Sequence, residues 1–318
     1  MHFRNQVNII LIVLLLGIII SGCSEEYPEI ERESKIPVDI GKITPETDIY
    51  PPILHSDEYE EPVPLTVINT AGAEDSPFIP LGRDELYFVF VSDVRLPVQE
   101  QIIDGVSGIY VSKKMNGAWQ IPERVFLQKP GKLALDGCTF VQGDTMWFCS
   151  AREGYTGMHW FTADYVDGTW TNWKNADFNP EYEVGELHFS GDGNEVYFHS
   201  ARAGGMGQND IWISRNAGGK WQKPENVQAV NSEDNEGMPY LTPDENELWF
   251  NRQYLGTPAV FRSKKVNNEW QKPELIFSQF AGEPTLDEQG NIYFVHHYFK
   301  DNQMMEADIY IAYRISVN

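Results

Sequence analysis

Residues 190–221 read SGDGNEVYFHSARAGGMGQNDIWISRNAGGKW. They run from a Gly/Asp/Asn turn to the triplet Val196-Tyr197-Phe198, then through a glycine-rich loop to the cluster Ile211-Trp212-Ile213-Ser214 and a lone Trp221. This order recurs along the chain. The triplet returns as Leu86-Tyr87-Phe88, Met146-Trp147-Phe148, Leu248-Trp249-Phe250 and Ile292-Tyr293-Phe294. The second cluster returns as Ile109-Tyr110-Val111-Ser112, His159-Trp160-Phe161-Thr162, Val260-Phe261-Arg262-Ser263 and Ile309-Tyr310-Ile311-Ala312. Trp119, Trp170 and Trp270 stand where Trp221 does. The period is roughly 45–60 residues, room for about four short strands per repeat. Large apolar residues in succession put bulk on both faces of a strand, which suits sheets stacked between neighbouring sheets, as in a β-propeller.

The fifth repeat lacks its tryptophan element, and a matching piece lies at the other end of the repeats. Glu58-Tyr59-Glu60-Glu61-Pro62-Val63-Pro64-Leu65 parallels Glu269-Trp270-Gln271-Lys272-Pro273-Glu274-Leu275-Ile276. The expected fold is therefore all-β: a five-bladed β-propeller over 59–318 whose last blade is completed by an N-terminal strand, so that no edge stays open. That strand should pair with Ile309-Tyr310-Ile311, and Tyr59 should take the tryptophan's place.

The run from Ser200 to Gly207, with Asn209 to Arg215, Gly219-Lys220-Trp221 and Pro224-Glu225-Asn226-Val227, resembles the WD-like, TolB-type propeller repeat of bacterial envelope proteins. Repeats three and four match it best, and repeat two lacks the proline after Trp170. The resemblance implies the fold. Members of that family bind proteins, act as sensors or flank catalytic domains, so it implies no single function.

Arg4 and the apolar run Val7 to Ile20 have the form of a secretory leader, too short to cross a bilayer comfortably. The run ends in Ile20-Ser21-Gly22-Cys23, which resembles the bacterial lipobox. This implies a signal peptide over 1–22, lipidation of Cys23, and a cell-envelope location outside the cytoplasm, on the outer membrane in a two-membrane host. Residues 23–58 are acidic and Pro-rich with no sustained apolar period, and are expected to form a flexible tether. The net charge of −23 opposes nucleic acid and anionic membrane surfaces, leaving the lipid as the only membrane contact. A monomer is expected.

An acid precedes the first strand of every repeat: Glu74, Asp136, Glu186, Glu236 and Glu283. Glu186 and Glu283 lie two residues later than the others in their repeats, one strand period, so all five should face the same way. They could ring the channel mouth, where they would hold a divalent cation or cleave a glycosidic bond; alternatively each caps amides within its own blade. Glu186, His188 and His199 are the candidate metal ligands. Cys138 should fall opposite Cys149 across a two-residue turn at Gly143-Asp144, as a disulfide or as two buried thiols. No complete catalytic set appears and no cofactor is implied beyond that cation. The two functional readings are a membrane-anchored module binding a protein, peptide or glycan, and a carbohydrate-active hydrolase using the channel acids.

Overall fold

The computed structural model describes residues 27, 29–176 and 184–316. Cys23 and its leader lie outside the described residues.

Each repeat folds into an antiparallel meander. The innermost strands are Ala73–Phe78, Ala134–Gln142, Leu187–Phe189, Glu236–Leu241 and Ala281–Leu286. Each triplet lies on the second strand, where its residues are almost all buried, and the second cluster lies on the third, paired in register as Phe88↔Tyr110, Phe148↔Phe161, Phe198↔Trp212, Phe250↔Phe261 and Phe294↔Tyr310. The outer strands are broken in two where Pro122, Pro224 and Pro273 remove a ladder donor. Repeat two has no such proline, and its outer strand Thr169–Asn175 is continuous. Among the described residues hydrogen bonding gives four sheets, because a parallel bridge from Ala307 to Ala73 joins repeats five and one. Each innermost strand packs on the next in chain order, and the fifth packs on the first.

Aromatic pairs tie four of the repeats to their predecessors. Trp170 meets Tyr87, Trp270 meets Tyr197 and Trp119 meets Tyr293, all edge-on at ring-centroid distances of 6.0–6.3 Å. Tyr59 meets Trp249 in the same way at 6.2 Å. Val63–Pro64 pairs with Tyr310 and Ile311, and the Leu65 amide donates to the Ile309 carbonyl. The N-terminal strand is thus the outer strand of repeat five, and Tyr59 occupies the tryptophan's place.

Over the described residues 27 and 29–58, the segment expected to be a flexible tether lies against the repeats as a strap. Tyr27 stacks on Phe126 at 4.0 Å. Arg32 reaches Glu74 at 3.3 Å and lies over Phe88, Phe90 and Tyr110. Lys42 pairs with Glu306 and Asp308, and Asp48 bonds His296 at 2.8 Å. Ile53–Leu54 extends the fourth repeat's sheet, and Glu58 forms a two-pronged pair with Arg262 at 2.6 and 2.9 Å, which holds its carboxyl down at about 2. An apolar period is not needed for such a segment, because single charged side chains anchor it one at a time.

The strap's cations have counterparts inside the repeats. Arg152 lies over Phe148 and Phe161, Arg202 over Phe198 and Trp212, and Arg252 over Phe250 and Phe261. Each follows its triplet by two or four residues, Arg202 just past the end of its strand. Repeats one and five carry Phe90 and Ser92, or His296 and Tyr298, at those places. Arg32 fills the vacancy in repeat one, and Lys42, 5.7 Å from the Tyr298 ring, fills the one in repeat five.

Candidate functional site: the channel carboxylates

The five predicted acids divide between the two alternatives: three bond within their own repeats and two face the channel. Glu74 accepts from the Thr70 amide and hydroxyl and pairs with Arg32. Glu236 does the same with Ser232 and Arg252. Asp136 takes Ser150 and Arg152. All three are buried within their own repeats.

A bulge separates them from the other two. The innermost strands shift register just after this slot in repeats one, two, four and five. Ser76, Cys138, Met238 and Glu283, two residues past the slot, adopt φ of 49–53°. This left-handed bend aims the second residue at the axis rather than back along the capping acid's face. Glu186 holds that position in repeat three. The result is a channel cavity of about 40 Å³ lined by Ser76, Thr139, Glu186, His188, Met238 and Glu283.

Ser76 Oγ donates to Glu283 at 2.6 Å and stands 3.5 Å from Glu186. Both glutamates are half-buried and touch the narrow lumen. Burial, reinforced by neighbouring negative charge, pushes both carboxyls well up. Asp75, which the sequence reading passed over, lies beside them with His297 Nε2 at 3.7 Å. Burial would raise Asp75, but the hydrogen bond and charge of His297 outweigh it and hold the carboxyl down; His297 is raised in turn, against the effect of its own burial. Asp75, Glu283 and His297 each offer a ligand atom within 4.8 Å of the others.

The predicted set of Glu186, His188 and His199 does not converge. Glu186 and His199 are opposite each other in the backbone, since the Gly185 amide donates to the His199 carbonyl and the Leu187↔Phe198 register continues there. The rings go elsewhere. His188 fills the slot of Phe78, Phe140 and Tyr240 and packs against all three at 4.7–5.9 Å, where burial pushes it down to about 3. His199 lies between Gly185 and Gly237 and accepts from the Met238 amide at 3.3 Å; burial pushes it down to about 4. A Cβ at Gly185 would stand 2.1 Å from the His199 ring, so that glycine is a steric requirement.

Cys138 and Cys149 are free thiols. The bulge puts Gly137, not Cys138, opposite Cys149, which corrects the expected pairing. A hydrogen bond with Cys149, with burial, pushes the Cys138 thiol well up.

A second concavity lies between repeats one and two. It is a groove of about 500 Å³ whose walls include Tyr87, Arg124, Phe126, Tyr165, Trp170 and Trp173.

No protein-family model matches the chain, and no curated protein matches it. Among solved structures it is similar to the endo-arabinase of Bacteroides thetaiotaomicron at 15% identity, covering 80% of this chain and 97% of that one with a TM-score of 0.50. GH43B from the xyloglucan locus of Bacteroides ovatus is similar at 14% identity, covering 79% and 54% with a TM-score of 0.49. TolB of Acinetobacter baumannii is similar at 12% identity, covering 77% and 56% with a TM-score of 0.44. The first likeness carries the β-propeller fold and nothing of activity.

Proposed function

We propose that the chain is a lipid-anchored envelope protein whose five-bladed β-propeller binds a protein, peptide or glycan and does not hydrolyse it. The observation that carries this reading is the fate of the five acids. Hydrolysis of a glycosidic bond needs two carboxyl groups about 5–10 Å apart with a sugar between them. Here three are clamped by arginines and by serine or threonine hydroxyls, and the other two share one serine in a space of about 40 Å³. A sugar ring does not fit there. The groove between repeats one and two is within the usual size range of ligand pockets, and its rings and Arg124 offer stacking and one charged contact. The closed cycle of innermost strands and the Tyr59–Trp249 contact support the count of five blades.

A glycan array and an envelope pull-down with the full chain test the reading, with Tyr165→Ala and Trp173→Ala as groove variants. Saturable binding weakened by both variants is expected, with no reducing ends released from arabinan or xyloglucan. Release of reducing ends that Glu186→Gln abolishes would return the chain to the hydrolases. The anchor is tested separately. Cys23→Ser should leave an unprocessed precursor or shift the protein to the soluble fraction.

A further inference from the structure

We propose that Asp75, Glu283 and His297 form a binding site for one divalent cation of the zinc or manganese class, set where the first and last repeats meet in the channel. Asp75 comes from the innermost strand of repeat one, Glu283 from that of repeat five, and His297 from the second strand of repeat five. Their ligand atoms lie within 4.8 Å of one another. Ligands about 2.0–2.2 Å from an ion stand about 3–4 Å apart, so closing on a metal takes side-chain shifts of about an ångström or less. Two carboxylates with an imidazole suit zinc or manganese better than calcium or magnesium, which prefer oxygen alone.

A separate observation points to a ligand. Thr139, only 7% exposed, lines the same channel, and its hydroxyl has no hydrogen-bond partner. Unsatisfied polar atoms in such a place are costly unless a bound group or water meets them. Of the three, Glu283 lines the channel cavity, which has room for a water beside the site.

The repeat itself does not call for these residues. Where repeat one has Asp75, the others have Gly137, Gly185, Gly237 and Gly282. Where repeat five has His297, the others have Val91, Ala151, Ala201 and Gln253. Two departures from the repeat pattern, Asp75 and His297, converge on Glu283. An ion there would join the two repeats that close the ring.

The test uses the full chain in detergent, stripped with EDTA and titrated with zinc and with manganese by calorimetry while the melting temperature is followed. One ion per chain and a rise of several degrees are expected. Asp75→Asn, Glu283→Gln and His297→Ala should each weaken binding at least tenfold. Absence of saturable binding of either metal, binding of calcium alone, or unchanged affinity in all three variants overturns the site. If the variants do not fold, the stoichiometry and melting shift of the native chain decide.

Discussion

His188 shows how a residue can look like a ligand and act as a ring. Its neighbours Phe140 and Tyr240 stand 4.7 and 4.8 Å away, and its Nδ1 spends its hydrogen on the Phe189 carbonyl. The repeat alignment already contained this, since Phe78, Phe140 and Tyr240 hold the same position, but histidine beside glutamate draws attention to metal first. Neutral in the fold, with its pKa down at about 3, it is protonated in the unfolded chain below about 6.5. Its contribution is therefore whole above pH 6.5 and lost as pH falls from there toward 3, at about 1.4 kcal/mol per unit. His188→Phe should leave the melting temperature near native at pH 7.5 and raise it by several degrees at pH 4.5. A variant whose acid limb matches the native chain would refute the assignment.

At the scale of elements, what the sequence made legible was whatever repeats. The triplets, the second clusters and the tryptophans could be aligned on one another, and they lie on equivalent strands. The bulge was hidden because it inserts one residue without changing composition, and that single residue decides which acid caps a strand and which faces the channel. The strap was hidden for a different reason. Its anchors are isolated cations in an acidic stretch, and local pattern does not show what they meet. The signal lay elsewhere, in the two repeats that lack an arginine after their triplets. Arg32 is mostly covered and Glu74 wholly so, and removing one partner of such a pair costs about 3 kcal/mol. Arg32→Ala should therefore lower stability to denaturant by about that amount. Lys42→Ala, whose ammonium is a third exposed, should cost less. Urea unfolding of the two single variants checks both, and equal or negligible losses would mean the strap is merely draped over the ring.

The whole molecule is closed by segments that precede the first repeat. Residues 29–58 pass across repeats one, five and four in turn, and the chain then turns back so that 59–65 becomes the outer strand of repeat five. Removing 24–55 takes away Arg32, Lys42, Asp48 and the short strand Ile53–Leu54, but leaves Tyr59 against Trp249 and Val63–Pro64 in its sheet. That truncation should lower the melting temperature by several degrees yet remain a cooperative, closed ring. Extending it through Leu65 exposes the strand Gln303–Ala312 along its edge and uncovers Trp249, which invites aggregation as well as unfolding. Tyr59 can also be tested alone, because its hydroxyl is buried without a partner while the tryptophans at Tyr87 and Tyr293 donate to theirs. Tyr59→Phe should be neutral or stabilising by about 1 kcal/mol, whereas Tyr59→Ala should cost about 3–5 kcal/mol. A native melting temperature after loss of 24–55 would strip the strap of any structural role. Equal melting temperatures for the two truncations, with Tyr59→Ala harmless, would mean that the ring closes without its N-terminal strand.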